Sequence, residues 1–191
     1  MNTKKIFKIF FILILIIGFI LLTIISIQKY KEQQIIDSVY KTFEEETIQN
    51  KIETINTIEE LSFNIEDKNV IGILKIDKIN FEGLIYEGTS LDILEKGVGH
   101  FENTPLINGN VCFAAHNTNK FWAKLNNLKT NDTITYTSML GTKTYTVFNI
   151  QEIKETNWSL LENTNENIIT LITCVKGKPE LRLCVQAIEK K

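Results

Sequence analysis

The pattern of apolar and polar positions along the chain changes twice. Residues 9–27 form a run of 19 residues without a charge. Residues 28–68 are rich in Gln, Glu, Lys and Ile, and their apolar positions fall near the spacing of a helix. From residue 69 onward, short apolar runs typical of β-strands alternate with turns. The pattern therefore predicts an apolar helix, a polar segment and a β-rich domain over residues 69–191.

The apolar run over residues 9–27 predicts a transmembrane anchor. At about 1.5 Å per residue a helix of this length spans roughly 28 Å, close to the hydrocarbon thickness of a bilayer. A cleaved signal peptide is the alternative, but no small-residue cleavage site follows the run. Lysines within residues 1–8 favour a cytoplasmic N-terminus, which places the rest of the chain outside the cell.

The polar segment over residues 28–68 predicts a partly helical stalk between the anchor and the domain. Its apolar residues recur near helical spacing, and it contains neither Pro nor Gly. A disordered linker is the alternative, because the acidic run Glu44–Glu46 and the polar content weaken any core.

Alternating and continuous apolar runs predict the strands of the domain. We expect strands at residues 70–76, 79–86, 110–115, 133–139, 143–150, 168–174 and 181–188. One or two helical turns are expected at residues 91–96, stopped by Gly97, and a short helix at residues 121–128. Short strands at this spacing indicate a closed or nearly closed β-barrel rather than a sheet of βαβ units.

Charge and cysteine content narrow the possible functions. The formal net charge is −2 and no basic stripe is visible, so a nucleic-acid partner is not expected. Arg182 is the single arginine among 21 basic residues, which suggests a position where a planar, permanently charged group is required. The three cysteines are an odd number, so at least one thiol stays free outside the cell.

Three residue types needed for thiol catalysis lie on, or directly after, predicted strands. If Gly177–Pro179 form a three-residue loop, Cys174 lies directly opposite Arg182 in a hairpin. His116 follows the strand at residues 110–115. A thiolate is a nucleophile, an imidazole transfers protons and a guanidinium stabilises an oxyanion. From spacing alone, a core cysteine and a loop-edge histidine remain the alternative.

The motif Thr170–Cys174 (TLITC) resembles the TLxTC motif of the sortases. The segment Ala115–Asn117 after an apolar strand is similar to the segment that carries their catalytic histidine. The strand from Arg182 to Ala187 is similar to their arginine-bearing final strand, and the order His, Cys, Arg matches. The resemblance implies an eight-stranded sortase-type β-barrel with short helices, preceded by an N-terminal transmembrane helix. A single N-terminal anchor and a short loop between Cys174 and Arg182 favour class D, with class A or B as the alternatives.

The resemblance also implies the activity and the roles of single residues. It implies a cysteine transpeptidase without a cofactor, which cleaves an LPxTG-like C-terminal sorting motif of secreted proteins through a thioacyl enzyme. The acyl group would pass to an amine of a peptidoglycan precursor or to a pilin lysine. The resemblance assigns His116, Cys174 and Arg182 as catalytic. Thr173 and Trp158 are expected to bind substrate; the alternatives are that Thr173 orients Arg182 and that Trp158 is an apolar cap on the barrel. His100 is then a structural or groove-lining residue.

Three other readings stay open. The chain could be another cysteine enzyme, such as a hydrolase or an L,D-transpeptidase, although the SHGxxN-type motif of the latter is absent. Cys112, His116, Cys174 and Cys184 offer four potential zinc ligands, but without paired CxxC spacing. The third alternative is an anchored, non-catalytic binding module on the same barrel.

Overall fold

A computed structural model describes residues 3–49 and 69–190 of the chain. The chain divides into two compact units, residues 1–40 and 41–191. Helix α1 covers Thr3–Gln49, which includes the apolar run. Within the part of the chain that the structure describes, no helix is both long enough and apolar enough to cross a membrane. The anchor over residues 9–27 therefore stays a prediction. The second half of the predicted stalk, residues 50–68, lies outside the described residues.

Eight strands form a closed barrel in the order β1-β2-β3-β4-β7-β8-β6-β5. Two neighbouring pairs, β2 with β3 and β4 with β7, are parallel, and the other pairs are antiparallel. A short helix, α2 (Leu91–Lys96), precedes β3. The strands are β1 Val70–Ile76, β2 Phe81–Glu87, β3 Val98–His100, β4 Asn110–Ala114, β5 Thr133–Ser138, β6 Gly141–Lys154, β7 Ile168–Val175 and β8 Lys178–Glu189.

The alternation of residues along each strand decides which side chains fill the barrel. On β7, Ile169 and Leu171 belong to the main hydrophobic cluster, while Thr170 and Ile172 point to the opposite face. The same cluster takes Val111 and Phe113 from β4. Since side chains at i and i+2 share a face, Cys174 lies with Thr170 and Ile172 on the outer face of the barrel.

The sequence predicted most of these elements. The closed eight-stranded barrel is confirmed, and β1 and α2 have the predicted bounds. The short helix predicted at residues 121–128 is wrong: the chain there forms turns and one 3₁₀ turn, Leu125–Asn127. The side chains that gave the helical pattern, Trp122, Leu125 and Leu128, are nevertheless buried.

Strand β3 was not predicted. It contains three residues, Val98–His100, and all three are buried. A segment this short shows no alternation, so only its pairing partners define it as a strand. It lies between β2 and β4, and the barrel would remain open without it.

Candidate active site

Cys174 is the exposed cysteine of the chain. All three thiols are free, but Cys112 and Cys184 have no exposed surface. Cys174 occupies the second-to-last position of β7, where the strand leaves the packed part of the barrel. An exposed thiol can meet a substrate, and a fully buried thiol cannot.

Arg182 lies directly opposite Cys174, as the sequence predicted. The predicted three-residue loop is wrong, however. The turn contains only Lys176 and Gly177, because Val175 already pairs with Lys178. The register then shifts, and residues 179–181 of β8 form an irregular stretch before Arg182 meets Cys174. Gly177, with φ of 77°, allows the tight turn.

The guanidinium of Arg182 is held by three hydrogen bonds. Its Nη1 donates to the carbonyl oxygens of Pro179 at 2.6 Å and Leu181 at 2.9 Å. Its Nη2 lies 2.8 Å from Oε2 of Glu155. The irregular stretch of β8 supplies both carbonyls. The side chain is 27% exposed, so it stays within reach of a ligand.

His116 follows β4 by two residues, beside the end of β7. Strands β4 and β7 are parallel, and Ala114 pairs with Ile172. Continuing this register by two residues sets His116 beside Cys174. The pairing does extend past β4, since the amide of Ala115 donates to the carbonyl of Ile172. The carbonyl of His116 accepts hydrogen bonds from the amides of Thr118 and Trp122, which fix the turn.

Two side chains bind the histidine segment to the cysteine strand. Asn117 donates from Nδ2 to the backbone carbonyl of Cys174 at 2.6 Å. The hydroxyl of Thr173 donates to the carbonyl of Ala115 at 2.7 Å. Asn117 is next to His116, and Thr173 is next to Cys174. The two bonds therefore hold the segments of His116 and Cys174 together. Sequence reasoning gave Asn117 no role, because its partner lies 57 positions away.

The two predicted substrate-binding residues differ in exposure. Thr173 lines the groove beside Cys174 but is only 2% exposed, and its hydroxyl is engaged with Ala115. Trp158 also lines the groove and is 59% exposed, and its ring makes a T-shaped contact with Phe101. Substrate binding by either residue stays a prediction, and the geometry favours Trp158.

Two grooves meet at Cys174 and His116. The first has a volume of about 530 Å³ and also contains Arg182. Its walls are largely apolar, with Leu91, Leu94, Phe101, Ile153, Trp158 and Ile172 among the lining residues. The second has a volume of about 820 Å³, and its lining combines polar side chains, among them Asn117, Asn119 and Glu152, with apolar ones such as Trp122 and Leu183. The thiol is therefore open to a mainly apolar groove and to a second groove with a mixed polar and apolar lining.

The chain between β6 and β7 forms one wall of the apolar groove. It carries Trp158 and the 3₁₀ turn Ser159–Leu161. The buried side chain of Asn110 donates to the carbonyls of Leu160 at 2.8 Å and Glu162 at 2.9 Å, and so anchors this wall to β4. Thr170 donates to Oδ1 of Asn110, which satisfies the rest of the amide.

His100 is a structural residue. It is 1% exposed, and its Nδ1 lies 2.9 Å and 3.1 Å from the two carboxylate oxygens of Glu87. Its Nε2 lies 3.2 Å from the carbonyl of Pro105 and 3.1 Å from the hydroxyl of Thr104. Both ring nitrogens are therefore occupied by local contacts, and His100 does not line either groove.

Burial raises the pKa of the Cys112 and Cys184 thiols to about 12. At pH 8 both stay protonated and out of contact with water. We expect iodoacetamide to modify one thiol per native chain, at Cys174, and all three after denaturation. Peptide mapping by mass spectrometry would identify the sites. Native-state labelling of Cys112 or Cys184 at the rate of Cys174 would contradict this assignment.

The zinc site considered from the sequence has no support in the described part of the chain. Within residues 3–49 and 69–190, no group of three His, Cys, Asp or Glu side chains is placed to hold a metal ion. Two of the four potential ligands, Cys112 and Cys184, are fully buried, whereas Cys174 is exposed. The four side chains therefore do not share one environment.

The comparison with known families decides the identity of the chain. The family model described as "Sortase domain" matches residues 74–190, which is more than half of the sequence. The chain belongs to the sortase family. Sortases are cysteine transpeptidases, and this sortase is therefore an enzyme that transfers acyl groups through a cysteine.

Two curated relatives and one solved structure place this sortase among known members. It is 26% identical to Sortase A of Bacillus anthracis over 98% of this chain and 95% of the relative. It is 34% identical to Sortase D of Bacillus subtilis (strain 168) over 59% of this chain and 58% of the relative. The solved Clostridium perfringens Sortase D5 transpeptidase superposes with a TM-score of 0.65 and 27% identity, over 84% of this chain and 98% of that one. The Sortase D relative is consistent with a class D-like protein.

Proposed function

We propose that this sortase cleaves an LPxTG-like C-terminal sorting motif and joins the new carboxyl end to an amine. The observation that carries the proposal is the position of Cys174, an exposed thiol where two grooves meet, with His116 on the same edge and Arg182 opposite. An acyl-transfer enzyme needs room for two substrates at one nucleophile.

In the first half-reaction, the thiolate of Cys174 attacks the carbonyl carbon of the scissile peptide bond. The carbonyl oxygen becomes an oxyanion, which Arg182 stabilises through its N–H groups. The C–N bond then breaks, His116 protonates the leaving amine, and the acyl group remains as a thioester on Cys174. The C-terminal peptide leaves with its new amino group.

In the second half-reaction, an amine of the acceptor attacks the thioester. His116 takes the proton from the attacking nitrogen, the C–S bond breaks, and Cys174 leaves as a thiolate. The acceptor is an amine of a peptidoglycan precursor or of a pilin lysine.

We assign the apolar groove to the sorting motif, because Leu91, Phe101 and Trp158 offer it apolar contacts. The second groove, whose polar side chains include Asn117, Asn119 and Glu152, suits the acceptor.

A panel of C-terminal sorting peptides tests this function. The full-length enzyme is incubated with each peptide and with a primary amine, and the products are separated by mass spectrometry. We expect a peptide–amine conjugate whose yield rises with amine concentration at the expense of the hydrolysed peptide. Hydrolysis alone, unchanged by any amine in the panel, would favour a cysteine hydrolase and reject the proposal.

We also propose that residues 9–27 anchor the enzyme in the cell membrane, with residues 1–8 in the cytoplasm and the catalytic barrel outside. Large apolar side chains of α1 with described positions are exposed around the helix, among them Leu15, Ile16, Ile17 and Ile25. The hydroxyls of Thr23 and Ser26 donate to carbonyls of their own helix. Release of the enzyme from membranes by alkaline carbonate would contradict the anchor.

A further inference from the structure

A carboxylate outside the predicted catalytic set contacts Arg182. Glu155 is the first residue after β6, and its Oε2 lies 2.8 Å from Nη2 of Arg182. Its backbone is fixed as well, since the amide of Glu155 donates to the carbonyl of Glu180 at 2.9 Å. This bond continues the pairing of β6 with β8 beyond its last pair, Lys154 with Leu181. Glu155 therefore stands at a defined place next to the irregular stretch of β8.

The contacts of Arg182 divide between two elements. Nη1 is held from β8 itself, by the carbonyls of Pro179 and Leu181. Nη2 is held by Glu155, which directly follows the neighbouring strand β6. A guanidinium has five N–H donors in a rigid plane. These three hydrogen bonds use three donors and leave two for a ligand. Without Glu155, one end of the plane would be free to turn about the bonds of the side chain.

Glu155 and Arg182 lie in the groove where the proposed reaction takes place. Glu155 and Arg182 both line the apolar groove that contains Cys174. The side chains are 48% and 27% exposed, so the charge attraction is weakened by water. An exposed pair of this kind adds little to the stability of the barrel. Its geometry, however, orients the plane of the guanidinium, and an oxyanion donor works only when its direction is set before the reaction.

We propose that Glu155 is a positioning residue that holds the guanidinium of Arg182 in the orientation needed for oxyanion stabilisation. Glu155 acts through Arg182 and does not contact the reacting atoms. The proposal rests on the proposed function, in which Arg182 stabilises the oxyanion formed at Cys174.

The first test is a double-mutant cycle in the full-length enzyme. We expect Glu155→Ala to lower kcat of acyl transfer about tenfold with little change in KM, because only the transition state contains the oxyanion. Glu155→Gln keeps the length and one acceptor oxygen, so it should lose less than Glu155→Ala. In an Arg182→Ala background, Glu155→Ala should cause no further loss. An equal loss in both backgrounds would mean a purely structural role and would overturn the proposal.

A matched control separates position from charge. Glu180→Gln makes the same change in net charge two residues from Arg182, and the exposed side chain of Glu180 lines neither groove. We expect its kcat to stay within twofold of the wild type. A loss equal to that of Glu155→Gln would show that the general charge of this edge, and not the contact with Arg182, affects the reaction.

The single arginine of the chain allows a readout that does not depend on activity. In protein labelled with ¹⁵N-arginine, one set of guanidinium NMR signals reports Arg182. We expect slow hydrogen exchange at Arg182 in the wild type and in Glu180→Gln, and fast exchange in Glu155→Ala. Unchanged exchange in Glu155→Ala would overturn the proposal. If the wild type makes no peptide–amine conjugate at all, the proposed function fails, while this measurement still decides whether Glu155 holds Arg182.

Discussion

Replacing Cys174 by alanine is expected to abolish both cleavage of the sorting peptide and its transfer to an amine. The thiolate is the nucleophile, and no other described thiol can replace it, because Cys112 and Cys184 are fully buried. Loss of an attacking nucleophile of this kind lowers kcat by about a thousandfold or more. A fluorescence-quenched sorting peptide, combined with mass spectrometry of the trapped acyl enzyme, measures the effect.

The control for Cys174→Ala is the same replacement at Cys184. Cys184 lies on β8 of the same barrel, packed with Ile153 and Ile172 in a small cluster on the outer face. Its loss leaves a small cavity and lowers the free energy of unfolding, but the site stays intact. We expect Cys184→Ala to keep activity at 25 °C. Full peptide cleavage by a folded Cys174→Ala enzyme would disprove the thiol mechanism.

Replacing Arg182 by lysine is expected to lower kcat about a hundredfold, although the charge is kept. Removal of one oxyanion donor costs about 10²–10³ in kcat. An ammonium group is a point donor on a flexible stem. It cannot hold the carbonyls of Pro179 and Leu181, keep the contact with Glu155 and still present two N–H groups in one plane. Steady-state kinetics of peptide–amine transfer measures the loss.

The reciprocal exchange at a neighbouring lysine is the control for Arg182→Lys. Lys178 is exposed and pairs with Glu152 at 2.9 Å, close to the turn that precedes Arg182. We expect Lys178→Arg to keep near-normal activity. Turnover of Arg182→Lys within a few-fold of the wild type would show that a positive charge alone is sufficient and would remove the role of the guanidinium plane.

Local patterns predicted those elements of the barrel in which a pattern of apolar and polar residues extends over several positions. Strand β1 alternates or runs apolar over seven residues, and α2 ends at a glycine, so both were found with their bounds. Strand β3 and the turns at residues 121–128 were missed because their form depends on packing against other segments. Trp122 and Leu125 show helical spacing, but the barrel buries them in a different backbone conformation.

The candidate site was predicted unevenly for a related reason. Cys174 was assigned from five consecutive residues, and its pairing with Arg182 is confirmed, although the turn is shorter than expected. The partners of these residues come from distant segments. Asn117 reaches the Cys174 carbonyl through the parallel pairing of β4 with β7, and Glu155 reaches Arg182 through the pairing of β6 with β8. No local pattern carries that information.

Local patterns were sufficient to predict a closed or nearly closed β-barrel. The resemblance of Thr170–Cys174 and its companion segments to the sortases added the eight-stranded barrel and the order of thiol, imidazole and guanidinium. Strand alternation and turn residues act over a few positions, so a sequence expresses them directly. The tertiary structure alone decided that the thiol of Cys174 is exposed where two grooves meet, and that a carboxylate holds Arg182. These features depend on which strands are neighbours in the closed barrel, an order that the pattern within each strand does not express.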